Sequence, residues 1–168
     1  MVEVFGLIFI GVISRLIPHP PNMTTVGAMS LFTGSKYPLK KAIVVVLSTM
    51  LITDLFLGLH GAMWATYGSF LAIVFIGKSI SKKKNIAWII GGSLVSSFLF
   101  FIVTNFAVWL PNSSIYPKTL AGLTECYIMA LPFFRNTIIG NLMYSTIFFT
   151  GFEMIKSISK KPSLITNF

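Results

Sequence analysis

Apolar residues run almost unbroken from position 2 to position 17, and the run ends where Pro18, Pro20 and Pro21 stop a helix from continuing. Residues 23–35 are apolar but too short to span a membrane alone, and Gly27 and Gly34 weaken the helix further. Lys36, Lys40 and Lys41 lead into a third run, 42–59, which carries Asp54. A fourth run, 63–80, follows after only Leu59, His60, Gly61 and Ala62, which predicts a tight helical hairpin. Ser81 to Asn85 form a lysine-rich connection to a fifth run, from 86 to about 110, stopped by Pro111 and Asn112. Residues 111–120 read as a polar loop and 121–131 as a short apolar piece, which Pro132 separates from a last run at 136–155. The pattern predicts an all-α integral membrane protein with six transmembrane helices and an extra helical turn before the sixth, in a single membrane domain over 1–168. It contains no internal repeat and no low-complexity segment.

Composition agrees with this reading. Hydrophobic residues make up 55% of the chain and charged ones 10%, with a mean hydropathy of +0.84, where a soluble domain is about a quarter charged. Six spans at about 20 residues each occupy most of the length, so a large soluble domain is excluded. The formal net charge is +9, yet the basic residues sit in short clusters between apolar runs, a topology signal rather than a nucleic-acid face. With the N-terminus inside, Lys36, Lys40, Lys41, Lys78, Lys82, Lys83, Lys84, Lys156, Lys160 and Lys161 fall on the cytoplasmic side, and Arg15, Lys118 and Arg135 outside. Both termini are then cytoplasmic, provided residues 23–35 cross. The first run leads into Arg15 without a small-residue cleavage site and is expected to stay as a helix of the mature protein. A single cysteine, Cys126, excludes an intramolecular disulfide and any CxxC motif.

On that topology Arg15, His19, Asn22, Asp54, His60, Trp64, Tyr67, Asn105, Trp109, Tyr116, Glu125, Arg135 and Asn136 gather near the outer helix ends. Ionisable residues inside spans are costly and usually face a cavity or a partner. Asp54 lies about four to six residues inside its span and needs a cation, Arg15 first and Arg135 second. Phe98, Phe101, Asn105 and Trp109 recur at helical spacing, an amide among aromatic rings suited to a flat ligand, and Trp64 with Tyr67 offers a second aromatic wall. An aromatic belt at the headgroup level gives Trp64 and Trp109 an alternative role. His19 and His60 lack the HxxxH or HExxH spacing of a metal site, and no serine occupies a G-x-S-x-G elbow, so no metal and no catalytic nucleophile is expected.

The run Arg15, Leu16, Ile17, Pro18, His19, Pro20, Pro21, Asn22, Met23, Thr24, with Gly27, Ala28, Leu31, Phe32, Thr33 and Gly34, resembles the opening motif of a family of small membrane proteins. That family is grouped with the S components, the substrate-binding subunits, of energy-coupling-factor transporters. The resemblance continues through Asp54, Thr104, Asn105, Phe106, Trp109, Tyr116, Pro117, Gly122, Leu123, Cys126, Tyr127, Pro132, Phe133, Phe134, Asn136 and Thr137. Its most specific part is RxxPHxPN. It implies a six-helix, S-component-like bundle with both termini cytoplasmic and a pocket open to the outside, closed by the loop between the first two helices. It also implies partners: a membrane scaffold subunit and two cytoplasmic ATPases. The chain has no P-loop, so any ATP is used by a partner.

These observations define an expected role as a substrate-binding subunit in the bacterial cytoplasmic membrane. Its solute is small, polar or zwitterionic and aromatic, such as a vitamin or nucleobase derivative, bound by Arg15, His19, Asn22, Asp54, Trp64, Asn105, Trp109, Arg135 and Asn136. No cofactor and no nucleic-acid partner is expected. Two alternatives stand beside it: a membrane-embedded enzyme using Asp54 with His19 or His60 as acid and base on a lipid substrate, and a structural protein whose polar residues only join helices.

Overall fold

A computed structural model describes residues 2–83, 85–112 and 114–159. Lys84, Lys160 and Lys161, three of the expected cytoplasmic lysines, lie outside the described residues. The described residues form α1 (Val2–Leu16), α2 (Val26–Lys36), α3 (Leu39–Leu57), α4 (Met63–Ser79), α5 (Ile86–Trp109), α6 (Leu120–Met129) and α7 (Leu131–Ser159). The class is all-α, as the hydrophobic pattern predicts.

The six-span bundle is not what the chain builds. Among the described residues there are seven helices, and two of them, Ile86–Trp109 and Leu131–Ile158, are long and apolar enough to cross a membrane. The apolar runs promised more because hydropathy extends past the points where the backbone stops. The proline cluster holds α1 to 15 residues, α4 has 17, and α3, at 19, carries Lys40, Lys41 and Asp54. The 11 residues of α2 span only about 16 Å at 1.5 Å per residue, against a hydrocarbon core of about 30 Å. The crossing of residues 23–35, on which the assignment of both termini to the cytoplasm depends, is therefore not provided. The last helix also differs from expectation. It starts at Leu131 rather than after Pro132, because a proline in the first turn has no intrahelical bond to lose.

Both long helices have only 22% of their apolar window buried. The core helix of a soluble domain is mostly buried, and the contrast makes this a membrane-associated chain.

The short helix α2 is the centre of the molecule. Its residues Val26 to Gly34 are all buried, and it packs against α3, α4, α5 and α7. A helix apolar on every side has to be enclosed, and its hydroxyls bond within the helix, Ser30 to the Val26 carbonyl at 2.8 Å and Thr33 to the Met29 carbonyl at 2.7 Å. Glycines allow the closest crossing. A methyl group at Gly34 would strike the Val74 carbonyl, and one at Gly77 the Leu31 carbonyl, so α2 and α4 touch backbone to backbone. Around this crossing lie Met29, Leu31, Val45, Val46, Met50, Ile73 and Val74.

At one end of α2, Phe32 packs among Tyr37, Phe148, Phe149 and Phe152, and Lys36 Nζ pairs with Glu153 Oε1 at 2.6 Å, joining α2 to α7. In the turn that follows, burial first and Glu3 second push the Tyr37 phenol up to about 12. Between α5 and α7 runs a polar seam, where Ser93 Oγ donates to Ser145 Oγ at 2.9 Å and Asn141 Nδ2 to Ser97 Oγ at 2.9 Å. The candidate site lies at the other end of α2.

Candidate functional site

Two loops frame the site. The first, residues 17–25, follows the end of α1 and holds the prolines. Asn22 adopts a positive φ of 63°, a conformation that Asn tolerates better than most residues. The loop is fixed at three points: Ser14 and Thr25 share a 2.6 Å hydroxyl hydrogen bond, the Met23 amide donates to the Pro20 carbonyl at 3.0 Å, and Asn136 Nδ2 donates to the Pro21 carbonyl at 3.1 Å. The second loop turns out of α3 at Gly58, whose φ is 97°, and carries His60 into the start of α4.

Below the loops sits the charged core of the site. Asp54 is 1% exposed. Arg15 Nη2 donates to its Oδ1 at 2.8 Å and Tyr67 Oη to its Oδ2 at 2.8 Å. The partner is Arg15, the first of the two cations named from sequence. The guanidinium also donates to Met50 Sδ through Nη1. Both carboxylate oxygens are thus engaged, which a charge at this depth requires. Neither histidine bonds to Asp54: His19 Nδ1 lies 2.9 Å from the Ile17 carbonyl oxygen, and His60 lines the cavity.

Against this triad opens a cavity of about 430 Å³. Of the residues named from sequence, Arg15, His19, Asn22 and Asn105 line it, joined by His60. Asp54 stands behind Arg15 and outside the lining. Trp64 is 58% exposed at the start of α4. Trp109 Nε1 donates to the Pro117 carbonyl at 2.9 Å, and Lys118 packs over its ring and donates to its carbonyl. Arg135 is exposed, and Asn136 ties the first loop from the side. None of these four lines the cavity.

The aromatic wall comes from other residues. On α5 the cavity face is Phe100, Thr104, Asn105 and Val108, whereas Phe101 turns to stack on Phe134 with ring centroids 4.5 Å apart. Phe100 stacks on Phe70 of α4 at 5.0 Å. The spacing of Phe98, Phe101, Asn105 and Trp109 is helical, but of the four only Asn105 meets the cavity. Sequence reasoning assigned no site role to Thr66 and Asn141, nor to Thr24, Thr104 and Thr137, which it names only within the motif, and all five are in the lining. A signal was present for α7: Thr137, Asn141 and Ser145 recur every four residues in a largely apolar run, a polar stripe along one helix face.

The Asn105 amide donates to the Phe101 carbonyl at 2.7 Å, which fixes its rotamer within its own helix. Asn141 is held by Ser97 and by its packing on Gly27, where a methyl group would collide with its carboxamide. Among the described residues no group of three His, Cys, Asp or Glu side chains is placed to hold a metal ion.

Over residues 1–164 the chain matches a family of unknown function (DUF6580), and it belongs to that family. No curated protein and no solved structure matches it.

Proposed function

We propose that this member of the DUF6580 family is an integral multi-pass membrane protein that binds a small polar solute for uptake, as the substrate-binding subunit of a transporter resembling the energy-coupling-factor S components. The observation that carries this reading is the cavity of about 430 Å³ with its concentrated polar lining, in a chain only 10% charged. Cavities of this size hold small ligands and pair mostly apolar walls with a few placed polar groups. The stacked Phe70 and Phe100 offer a face to a flat ring. The amides of Asn22, Asn105 and Asn141, and the hydroxyls of Thr24, Thr66 and Thr104, offer hydrogen bonds to its substituents. The loop 17–25 forms part of the wall, tied by single hydrogen bonds that a solute's entry can exchange. The sequence holds no phosphate-binding loop, so any ATP is used by partners, a scaffold subunit and ATPases in a bacterial cytoplasmic membrane.

The test is a thermal-shift screen of the detergent-purified protein against vitamins, nucleobases, amino acids and their derivatives. A solute that binds only the folded state stabilises it by about 2.7 kcal/mol at a hundred times its Kd. The expected result is an upward shift with at least one solute class, weakened at least tenfold in affinity by Asn105→Leu. A screen without any shift overturns the reading.

A further inference from the structure

The four carboxylate side chains of the described chain are all kept out of the cavity. Asp54 is sealed between Arg15 and Tyr67, and Glu3, Glu125 and Glu153 do not line the space. Every ionisable side chain that does line it is a nitrogen base: Arg15, His19 and His60. The Arg15–Asp54 pair is neutral as a unit but polarised. The Asp54 side chain is 1% exposed and the Arg15 side chain 15%, and Arg15 lines the cavity while Asp54 does not, so a solute there meets the arginine first. Coulomb attraction falls with distance, and a group in contact with the guanidinium feels it more strongly than the carboxylate behind. A guanidinium has five N–H donors, of which two are directed at Asp54 and Met50.

We propose that the cavity selects a solute bearing an anionic group, a carboxylate on a flat ring, with the carboxylate set against Arg15 and reached by His60 from the second loop, and the ring against Phe70 and Phe100. The proposal rests on the solute-binding reading above and sharpens it from polar or zwitterionic to anionic. Arg15 then does two things at once: it holds Asp54 in place, and through its remaining donors it fixes the charge that the site accepts.

Matched pairs of probes test it, each pair sharing a ring and differing in charge: benzoate with benzamide and benzylamine, nicotinate with nicotinamide, and indole-3-acetate with indole-3-acetamide. Binding is measured by calorimetry on the full chain in detergent. The expected result is that the carboxylates bind at least tenfold more tightly than their amides and amines. Arg15→Lys, which keeps a cation for Asp54 but loses the planar fork, should weaken the carboxylates at least tenfold, and His60→Gln, on an exposed loop, severalfold. Amide binding should fall less than carboxylate binding in both variants, so that the preference for the carboxylate narrows. Amides or amines that bind as well as the carboxylates overturn the anion proposal and leave the solute-binding reading standing. Silence from every member of all three series, together with an empty thermal-shift screen, removes both. If Arg15→Lys does not fold, the wild-type comparison and His60→Gln still decide.

Discussion

At the residue scale the Arg15–Asp54–Tyr67 cluster carries the strongest constraint. A buried ion pair adds little when intact and costs much when halved, because the remaining charge has nowhere to go. Asp54→Leu leaves the guanidinium and the Tyr67 hydroxyl facing an apolar side chain, and should lower stability by about 3–5 kcal/mol. The double change Arg15→Met with Asp54→Leu removes both charges and should recover most of that loss. Thermal unfolding of the three proteins in the same detergent decides: a double variant no more stable than Asp54→Leu alone means that the pair is not the unit described here. The pairing itself was legible in the sequence, since one carboxylate within an apolar run demands a cation and Arg15 was the nearest at comparable depth. The second donor, Tyr67, was not, because its spacing placed it with Trp64 as an aromatic wall, whereas its hydroxyl reaches Asp54 at 2.8 Å.

Element by element, the fold depends on how closely α2 can approach α4. At Gly34 and Gly77 the neighbouring atoms are backbone carbonyls, which cannot swing aside as a flexible side chain can. Gly34→Ala and Gly77→Ala should each push the helices apart and cost about 1–3 kcal/mol, the usual penalty for overpacking. Gly6, Gly68 and Gly91 face open space in α1, α4 and α5, and alanine there should leave the unfolding temperature unchanged or slightly raised, since alanine favours the helix. Equal losses at both sets of positions would show that helix propensity, not the crossing, governs. Here the sequence misleads: glycines in a short apolar segment read as weaknesses of a broken span, yet they let α2 sit at the centre of the helices around it.

For the whole molecule, the decisive feature is where the apolar surface faces. Outward-pointing residues such as Phe5, Phe9, Leu55, Phe56 and Phe98 are each more than half exposed, and only 22% of the apolar window of α5 and of α7 is buried. Such a surface needs a lipid environment. After expression, the protein should therefore stay with the membrane pellet through an alkaline carbonate wash and enter solution only with detergent. Recovery in the wash supernatant would place it on the membrane surface instead of within it.

The sequence by itself determined the class, the approximate ends of most helices and the residue types that the site employs. Those features follow from local rules: prolines stop helices, apolar runs set their extent, and a charge in an apolar run needs a partner. Only the tertiary structure decided which run became the buried centre, which two helices reach spanning length, and which face of α5 looks into the cavity. Helical spacing fixes the residues that share a face, but the direction of that face depends on how neighbouring helices rotate to pack. Phe100 and Phe70 therefore line the site, while Trp109 and Trp64 lie away from it.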